Sequence, residues 1–235
     1  MMKQAIYLII VSVVIFLLWN NPALYPLKVL VVFFHESSHA LMTIFTGGEV
    51  KEMVVTVQQG GHVLSGGGNR FWTLMAGYLG SLMWGVVIYL VAARTRIDKT
   101  AMFILGMLVA GIALVFVRNT FGFCFSLLTG VVMMILGIKA NEAVNDFILR
   151  LIGLTSMIYA PLDIYSDTIQ RSHLRSDAKM LAEEFGGTTM LWGGLWIVIS
   201  TIIIICAVIL GMKDVPTEEI NPKSQIPNKS QINSK

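Results

Sequence analysis

Long apolar runs are the feature that most constrains how this chain can fold. Seven segments of the 235-residue chain are almost entirely apolar, and a helix needs about 20 such residues to cross the hydrocarbon core of a bilayer. Short polar stretches such as Arg94–Lys99 separate these segments. The segments are Ala5–Trp19, Leu27–Phe45, Phe71–Ala93, Ala101–Val117, Phe121–Ile138, Phe147–Leu162 and Met190–Met212. We therefore predict an all-α, multi-pass integral membrane protein with about six to seven transmembrane helices.

The composition agrees with a chain that lives in a lipid bilayer. Hydrophobic residues make up 55% of the chain and charged residues only 13%, whereas a soluble domain has about 45–50% and about 25%, respectively. The net charge of +3 is small and is dispersed along the chain. Because nucleic-acid binders carry their basic residues in a concentrated patch, we expect no nucleic-acid partner.

Three parts of the chain depart from the pattern of spanning helices. Residues of about 49–64 hold a β-branched run, a Gly-Gly pair and a second apolar run, which predicts a small β-hairpin. Residues of about 172–185 mix charged and apolar side chains, which predicts an amphipathic helix at the membrane surface. Residues 213–235 are polar and repetitive, so we expect a disordered tail after a single transmembrane domain over residues 1–212.

The second apolar segment contains the motif His35-Glu36-Ser37-Ser38-His39. Residues four apart share one face of a helix, so His35 and His39 can present two imidazoles to one metal ion, with Glu36 beside them as a general base. This spacing is typical of zinc proteases. The alternative is a histidine pair satisfied by hydrogen bonds at a helix end. Three ionisable side chains in an apolar span favour the metal site, because such groups are costly at membrane depth.

The residues around this motif resemble the site-2 proteases, zinc enzymes that cut transmembrane helices within the bilayer. Phe34–Ala40 is similar to the FHExxHA signature of that family, with Ser38 where Gly is usual. The family places a membrane-associated β-hairpin after this helix, where Val50–Leu64 lies. Further stretches similar to a divergent branch of the family are Ala76–Gly80, Tyr159–Asp167 and Ser176–Ala178.

A tetrahedral catalytic zinc takes three protein ligands, so the two histidines leave one ligand to be found. The resemblance implies an Asp in a Leu-Asp-Gly segment of a later helix, and Leu162-Asp163 is the best match, with Ile164 in place of Gly. Asp167 lies one turn further on the same helical face and is the alternative ligand, or a residue that orients one. Asp177 is the third candidate, although an ordinary carboxylate at a helix N-terminus is the favoured interpretation there.

These expectations add up to an intramembrane zinc endopeptidase. It would bind one Zn²⁺ per chain, use Glu36 as general base, and hydrolyse peptide bonds in or near transmembrane segments of membrane-tethered protein substrates. A transmembrane helix must unwind before it is cut, and an edge strand can hold the unwound segment through main-chain hydrogen bonds. Val54, Val55, Thr56 and Val57 are the predicted substrate-binding strand. The alternative is a hairpin that only fills space in the bundle.

Two other functions are open to such a chain. One is a catalytically silent adaptor or chaperone that binds transmembrane helices. The other is a metal or proton transporter, with His35, Glu36 and Asp163 as a relay through the bundle. The intact His35, Glu36 and His39 favour catalysis over the adaptor, and the absence of two similar halves in the sequence argues against a transporter.

Overall fold

The computed structural model describes residues 2–212, and the predicted tail lies outside these described residues. Within them the chain forms eight α-helices and one two-stranded antiparallel sheet. The elements are α1 (Met2–Leu17), α2 (Tyr25–Phe45), β1 (Glu49–Val55), β2 (Gly61–Gly66), α3 (Arg70–Arg94), α4 (Asp98–Phe116), α5 (Thr120–Lys139), α6 (Glu142–Tyr165), α7 (Asp177–Phe185) and α8 (Thr189–Met212). A single π-helical turn, Ser166–Gln170, extends α6.

Six helical segments are long and apolar enough to cross a membrane, which confirms the predicted multi-pass, all-α architecture with a small hairpin. The segments are Pro22–Phe45, Arg70–Arg94, Asp98–Phe116, Thr120–Lys139, Glu142–Gln170 and Thr189–Met212. The first predicted segment contributes only a short apolar helix, Leu8–Leu17. The whole of α1 has 16 residues and rises about 24 Å, less than the hydrocarbon thickness of about 30 Å, so six helices of the described residues are long enough to span.

Small residues bring the spanning helices into close contact. A Cβ on Gly85 of α3 would lie 2.8 Å from the carbonyl oxygen of Gly153 of α6. The hydroxyl of Ser156 donates a hydrogen bond of 2.7 Å to the carbonyl of Ser81 in the same interface. Helices in membranes associate through such close packing and interhelical hydrogen bonds, because lipid supplies no hydrophobic force between them. α3 and α6 thereby form a tightly packed pair beside α2.

Helix α2 carries the His35–His39 motif through the interior of the bundle. Five of its apolar side chains before the motif, from Leu30 to Phe34, are buried. The hydroxyls of Ser37 and Ser38 donate to carbonyls one turn earlier, at 2.6 and 2.7 Å, so these buried polar groups are satisfied within the helix. A Cβ on Gly80 of α3 would lie 2.3 Å from the Ser38 side chain. Gly80 therefore allows α3 to approach α2 at the level of the motif.

The hairpin packs against α2 with only one edge free. β1 pairs with β2 in antiparallel register, with Val55 opposite Gly61. The other edge of β1 is occupied by the α4–α5 loop. The amide of Arg118 donates to the Met53 carbonyl at 3.1 Å, and the side chain of Asn119 makes hydrogen bonds of 3.1 and 2.7 Å with the N–H and C=O of Val55. Among the described residues no other backbone pairs with β2, so β2 has the free edge.

This arrangement argues against Val54, Val55, Thr56 and Val57 as an edge for a substrate. The outward groups of Val55 are already used by Asn119. Thr56 closes the turn of the hairpin, and the carbonyl of Val57 accepts a hydrogen bond of 3.0 Å from the Tyr25 hydroxyl. The sequence could not reveal this, because the residues that cover β1 come from a loop more than 60 positions later in the chain.

Helix α7 lies inside the segment of about 172–185 that was expected to be amphipathic. Its apolar side chains Ala178 and Leu181 are buried in a small cluster with Tyr78 of α3 and Trp196 of α8. At its other end, Arg70 and Glu184 form an ion pair of 3.2 Å. These contacts hold α7, which is not a membrane span, against the end of the bundle that faces the hairpin.

Candidate metal centre

The two histidines of the motif lie next to each other and point the same way. The Nε2 atoms of His35 and His39 are 3.0 Å apart. Nδ1 of His39 lies 2.7 Å from the carbonyl oxygen of Thr73 on α3. A carbonyl can only accept a hydrogen bond, so Nδ1 carries the proton and Nε2 is left free to bind a metal ion. The carbonyl of Thr73 thus fixes both the tautomer and the orientation of His39.

Asp177 is the carboxylate that joins the histidines. Its Oδ2 atom lies 3.1 Å from Nε2 of His35 and 3.1 Å from Nε2 of His39. Asp177 occupies the first turn of α7, where Ser176 caps the helix by accepting a hydrogen bond from the amide of Lys179. This is the helical position that the sequence predicts for Asp177. The folding back of α7 onto α3 turns the carboxylate towards the histidines.

The donor atoms fit a metal ion. Oδ2 of Asp177 is buried and receives no hydrogen bond from any of the described residues, although two imidazole nitrogens lie next to it. A buried carboxylate oxygen without a donor is costly unless a cation binds it. The separations of 3.0–3.1 Å are close to the ~3.3 Å expected between ligands of a tetrahedral zinc with bonds of about 2.0–2.1 Å. His35, His39 and Asp177 could therefore hold one zinc ion.

The charge state of Asp177 suits this role. Burial alone would raise the pKa of its carboxyl group, but His39 and His35, when their imidazoles are protonated, outweigh burial and hold this pKa well below its usual range. A cation bound by the free Nε2 atoms of the neutral imidazoles would place the same positive charge beside Asp177. The start of a helix also favours a negative charge. Asp177 is therefore a carboxylate at neutral pH, the form that binds a metal ion.

Gly77 of α3 forms the floor of this centre. A Cβ there would lie 2.5 Å from Nε2 of both His35 and His39, and 2.6 Å from Oδ2 of Asp177. The three donor atoms thus surround a space that one methyl group would fill. In the sequence, Ala76–Gly80 is only a stretch similar to a divergent branch of the site-2 proteases. Its role becomes visible only when α3 is seen against α2 and α7.

Asp163 and Asp167 lie in the same cavity but do not join the cluster of metal-ligating atoms. Both oxygens of Asp167 are engaged: Oδ2 accepts a hydrogen bond of 2.5 Å from Tyr78, and Oδ1 accepts one of 2.6 Å from Arg171. Asp163 lies 3.7 Å from the same guanidinium of Arg171. The geometry therefore favours Asp177 over Asp163 and Asp167, the first and second candidates in the predicted order. We change the assignment to Asp177 as a proposal.

The side chain of Glu36, on α2, is buried beside the histidines and contacts the first residue of β2. A Cβ on Gly61 would lie 2.7 Å from Cγ and Oε1 of Glu36. The absence of a side chain at Gly61 therefore makes room for the carboxylate. It also brings the free edge of β2 next to the residue predicted to act as general base.

These groups line a cavity of about 700 Å³. Its walls come from α2, the hairpin, α3, the end of α6 and α7, and they include the motif residues and all three aspartates. β2 lines one side with all the residues from Gly61 to Ser65. A cavity of this volume, with a strand edge on one side and a cluster of metal-ligating groups on another, has room for an extended peptide segment.

The comparisons with known proteins agree with this description at the level of the family. The peptidase M50B-like family matches the chain over residues 8–207. No curated protein and no solved structure matches the chain significantly. The match covers all six membrane-spanning segments except the last few residues of α8, together with the hairpin and α7. The chain therefore belongs to the peptidase M50B-like family, one of the site-2 protease families, and is a multi-pass integral membrane protein.

Proposed function

We propose that this protein is an intramembrane zinc endopeptidase that cuts membrane-tethered proteins in or near their transmembrane segments. The observation that carries the proposal is the convergence of His35, His39 and Asp177 on one space, with the Glu36 carboxylate beside it, inside a bundle of spanning helices. Membership of a peptidase family supports the same conclusion.

Each residue of the site has its own role in peptide hydrolysis. His35, His39 and Asp177 would hold the ion, and Thr73 would keep His39 in the tautomer that binds it. A zinc ion held there supplies a Lewis acid for the attacking water and the substrate carbonyl. Glu36 takes a proton from the attacking water and delivers it to the nitrogen of the leaving amide. The low dielectric of the buried site strengthens each of these interactions.

The free edge of β2 is the proposed substrate-binding surface, in place of Val54–Val57. In the register of the hairpin, Gly61 and Val63 lie opposite Val55 and Met53. Val55 and Met53 direct their backbone groups away from β2, towards Asn119 and Arg118. Two residues directly opposite each other in an antiparallel pair direct their backbone groups either both towards each other or both away from each other. The N–H and C=O of Gly61 and Val63 therefore point away from β1, to the free edge of β2. An unwound substrate can add to this edge as a further strand, next to Glu36.

A silent adaptor is the alternative that the geometry disfavours. Such a protein has no need for a buried carboxylate with an unpartnered oxygen, or for Gly77 at the floor of the cluster. Helix binding would need only apolar surface. The coincidence of these costly features with the His35–His39 pair therefore favours catalysis over passive binding.

The test is proteolysis by purified protein in lipid vesicles. The probe is a pool of synthetic transmembrane peptides, each with an apolar span of about 20 residues and a central Gly-Ser pair that weakens the helix. We expect new peptide ends, found by mass spectrometry, from the zinc-loaded wild type and none from Glu36→Gln. Glu183→Gln, on the exposed side of α7, is the matched control and should cut like the wild type. Equal cleavage by Glu36→Gln, or no cleavage by the zinc-loaded wild type, would refute the proposed function.

A further inference from the structure

The tip of the hairpin contains an unusual backbone conformation. The turn is closed by hydrogen bonds from the Thr56 amide to the Gly60 carbonyl at 2.8 Å and from the Gln59 amide to the Thr56 carbonyl at 3.2 Å. Gln59 has a φ angle of +60°, and it is the only residue other than glycine with a positive φ among residues 2–212. Hairpin loops of this type usually have glycine at the left-handed position, because a Cβ is unfavourable there. A strained residue of this kind points to a function for its side chain.

The side chain of Gln59 is in the right place to have such a function. It is half-buried, and its side-chain amide makes no hydrogen bond within the described part of the chain. It lines the cavity of about 700 Å³ that holds the candidate metal centre. It also lines a second cavity of about 200 Å³, which shares Asp163 and Arg171 with the first. The neighbouring Gln58 lines only the smaller cavity.

Gln59 also lies where the free edge of β2 ends. Gly61 is the first residue of β2, and its backbone groups face the free edge. Gln59 comes two residues earlier, in the turn that leads into β2. A glutamine side chain offers one acceptor and two donors, as a peptide unit offers one acceptor and one donor. It can therefore continue the series of hydrogen bonds beyond the point where the strand turns away.

We propose that Gln59 is a substrate-positioning residue, whose side-chain amide hydrogen-bonds the main chain of an extended substrate where the edge of β2 ends. The inference rests on the proposed protease function and deepens it. Recognition of this kind reads the peptide backbone and not a particular side chain. It explains why a strained turn keeps glutamine at a position that glycine would fill without strain.

The test compares Gln59→Gly, Gln59→Ala and the control Gln58→Ala on the pool peptide that the wild type cuts fastest. Both Gln59 variants lose the amide, but only the glycine variant relieves the left-handed strain. We expect kcat/KM to fall about five- to tenfold in both Gln59 variants, mainly through KM, with the zinc content unchanged. The melting temperature should rise by about 2 °C only in Gln59→Gly. Gln58→Ala should match the wild type in both measurements.

A variant that is more stable and less active separates a contact with substrate from a merely structural role. If both Gln59 variants cut as fast as the wild type, the inference is wrong while the proposed function stands. If activity falls only in Gln59→Gly, stiffness of the turn matters and the amide does not, which also overturns the inference. A zinc-loaded wild type that cuts no peptide overturns the proposed function, and this inference with it.

Discussion

Replacement of Gly77 by alanine should remove the metal ion while leaving the fold intact. The added Cβ would lie 2.5–2.6 Å from all three donor atoms. Ordinary contact needs about 3.4 Å, so each donor would have to retreat by about 0.9 Å. Metal–ligand distances tolerate changes of only about 0.2 Å. We therefore expect the zinc content to fall from about one ion per chain to below about 0.1.

The assay is elemental analysis of detergent-purified protein after dialysis against a zinc buffer, with thermal unfolding measured in parallel. Alanine forms helix better than glycine by up to about 1 kcal/mol, so the substitution does not weaken α3 itself. Gly111→Ala is the matched control, since it adds the same methyl group to a helix at a position with nothing within 4 Å. This control should keep its zinc.

A Gly77→Ala protein that binds one zinc per chain as tightly as the wild type would contradict this prediction. The donor atoms would then have to lie elsewhere when the ion is bound. Loss of zinc together with loss of the folded state would point instead to a packing role for Gly77. A folded protein without zinc is the expected outcome, and it would also abolish cleavage in the peptide assay.

Four other substitutions test three separate parts of the structure. Asp177→Ala should lose zinc and Asp163→Ala should retain it, as measured by elemental analysis; the opposite result would restore the assignment of the third ligand from the family resemblance. Gly61→Ala should keep zinc but lower cleavage at least tenfold, because its Cβ would lie 2.7 Å from the Glu36 side chain and 2.5 Å from the Val54 carbonyl oxygen; unchanged cleavage would contradict the placement of Glu36 and of the hairpin beside it. Asn119→Ala leaves the N–H and C=O of Val55 without partners. The free energy of unfolding should therefore fall by about 2 kcal/mol, and the melting temperature in a thermal unfolding experiment by about 4–8 °C. An unchanged melting temperature would mean that water replaces both hydrogen bonds.

The membrane spans and the histidine pair could be predicted from the sequence because both depend on local spacing. An apolar run identifies a spanning helix by its length, and residues four apart share a helical face in any helix. The position of the hairpin followed in the same way from a β-branched run and a Gly-Gly pair. These parts of the fold needed no knowledge of which elements meet in space.

The third ligand and the substrate edge could not be predicted in this way, because both depend on contacts between distant elements. Asp177 reaches the histidines only because Ala178 and Leu181 dock α7 against α3 and α8. In the sequence, only the similarity of Ser176–Ala178 to a divergent branch of the family pointed to Asp177. That similarity was a weaker argument for a metal ligand than the match of Leu162-Asp163 to the Leu-Asp-Gly segment of the family. The edge of β1 is covered by Asn119 from a distant loop, and no periodicity within the hairpin encodes that contact.

The position of Asp177 also bears on how the protein is made. Five of the six spans precede α7, and α7 docks partly against α8, the last of them. If Asp177 completes the metal centre, a chain that is still being inserted has its two histidines in the bilayer but lacks the third ligand. If the proposed function holds, such a nascent chain cannot yet cleave a peptide bond. Synthesis of the last helix would then act as the activation step, so that no partially assembled copy degrades its neighbours in the membrane.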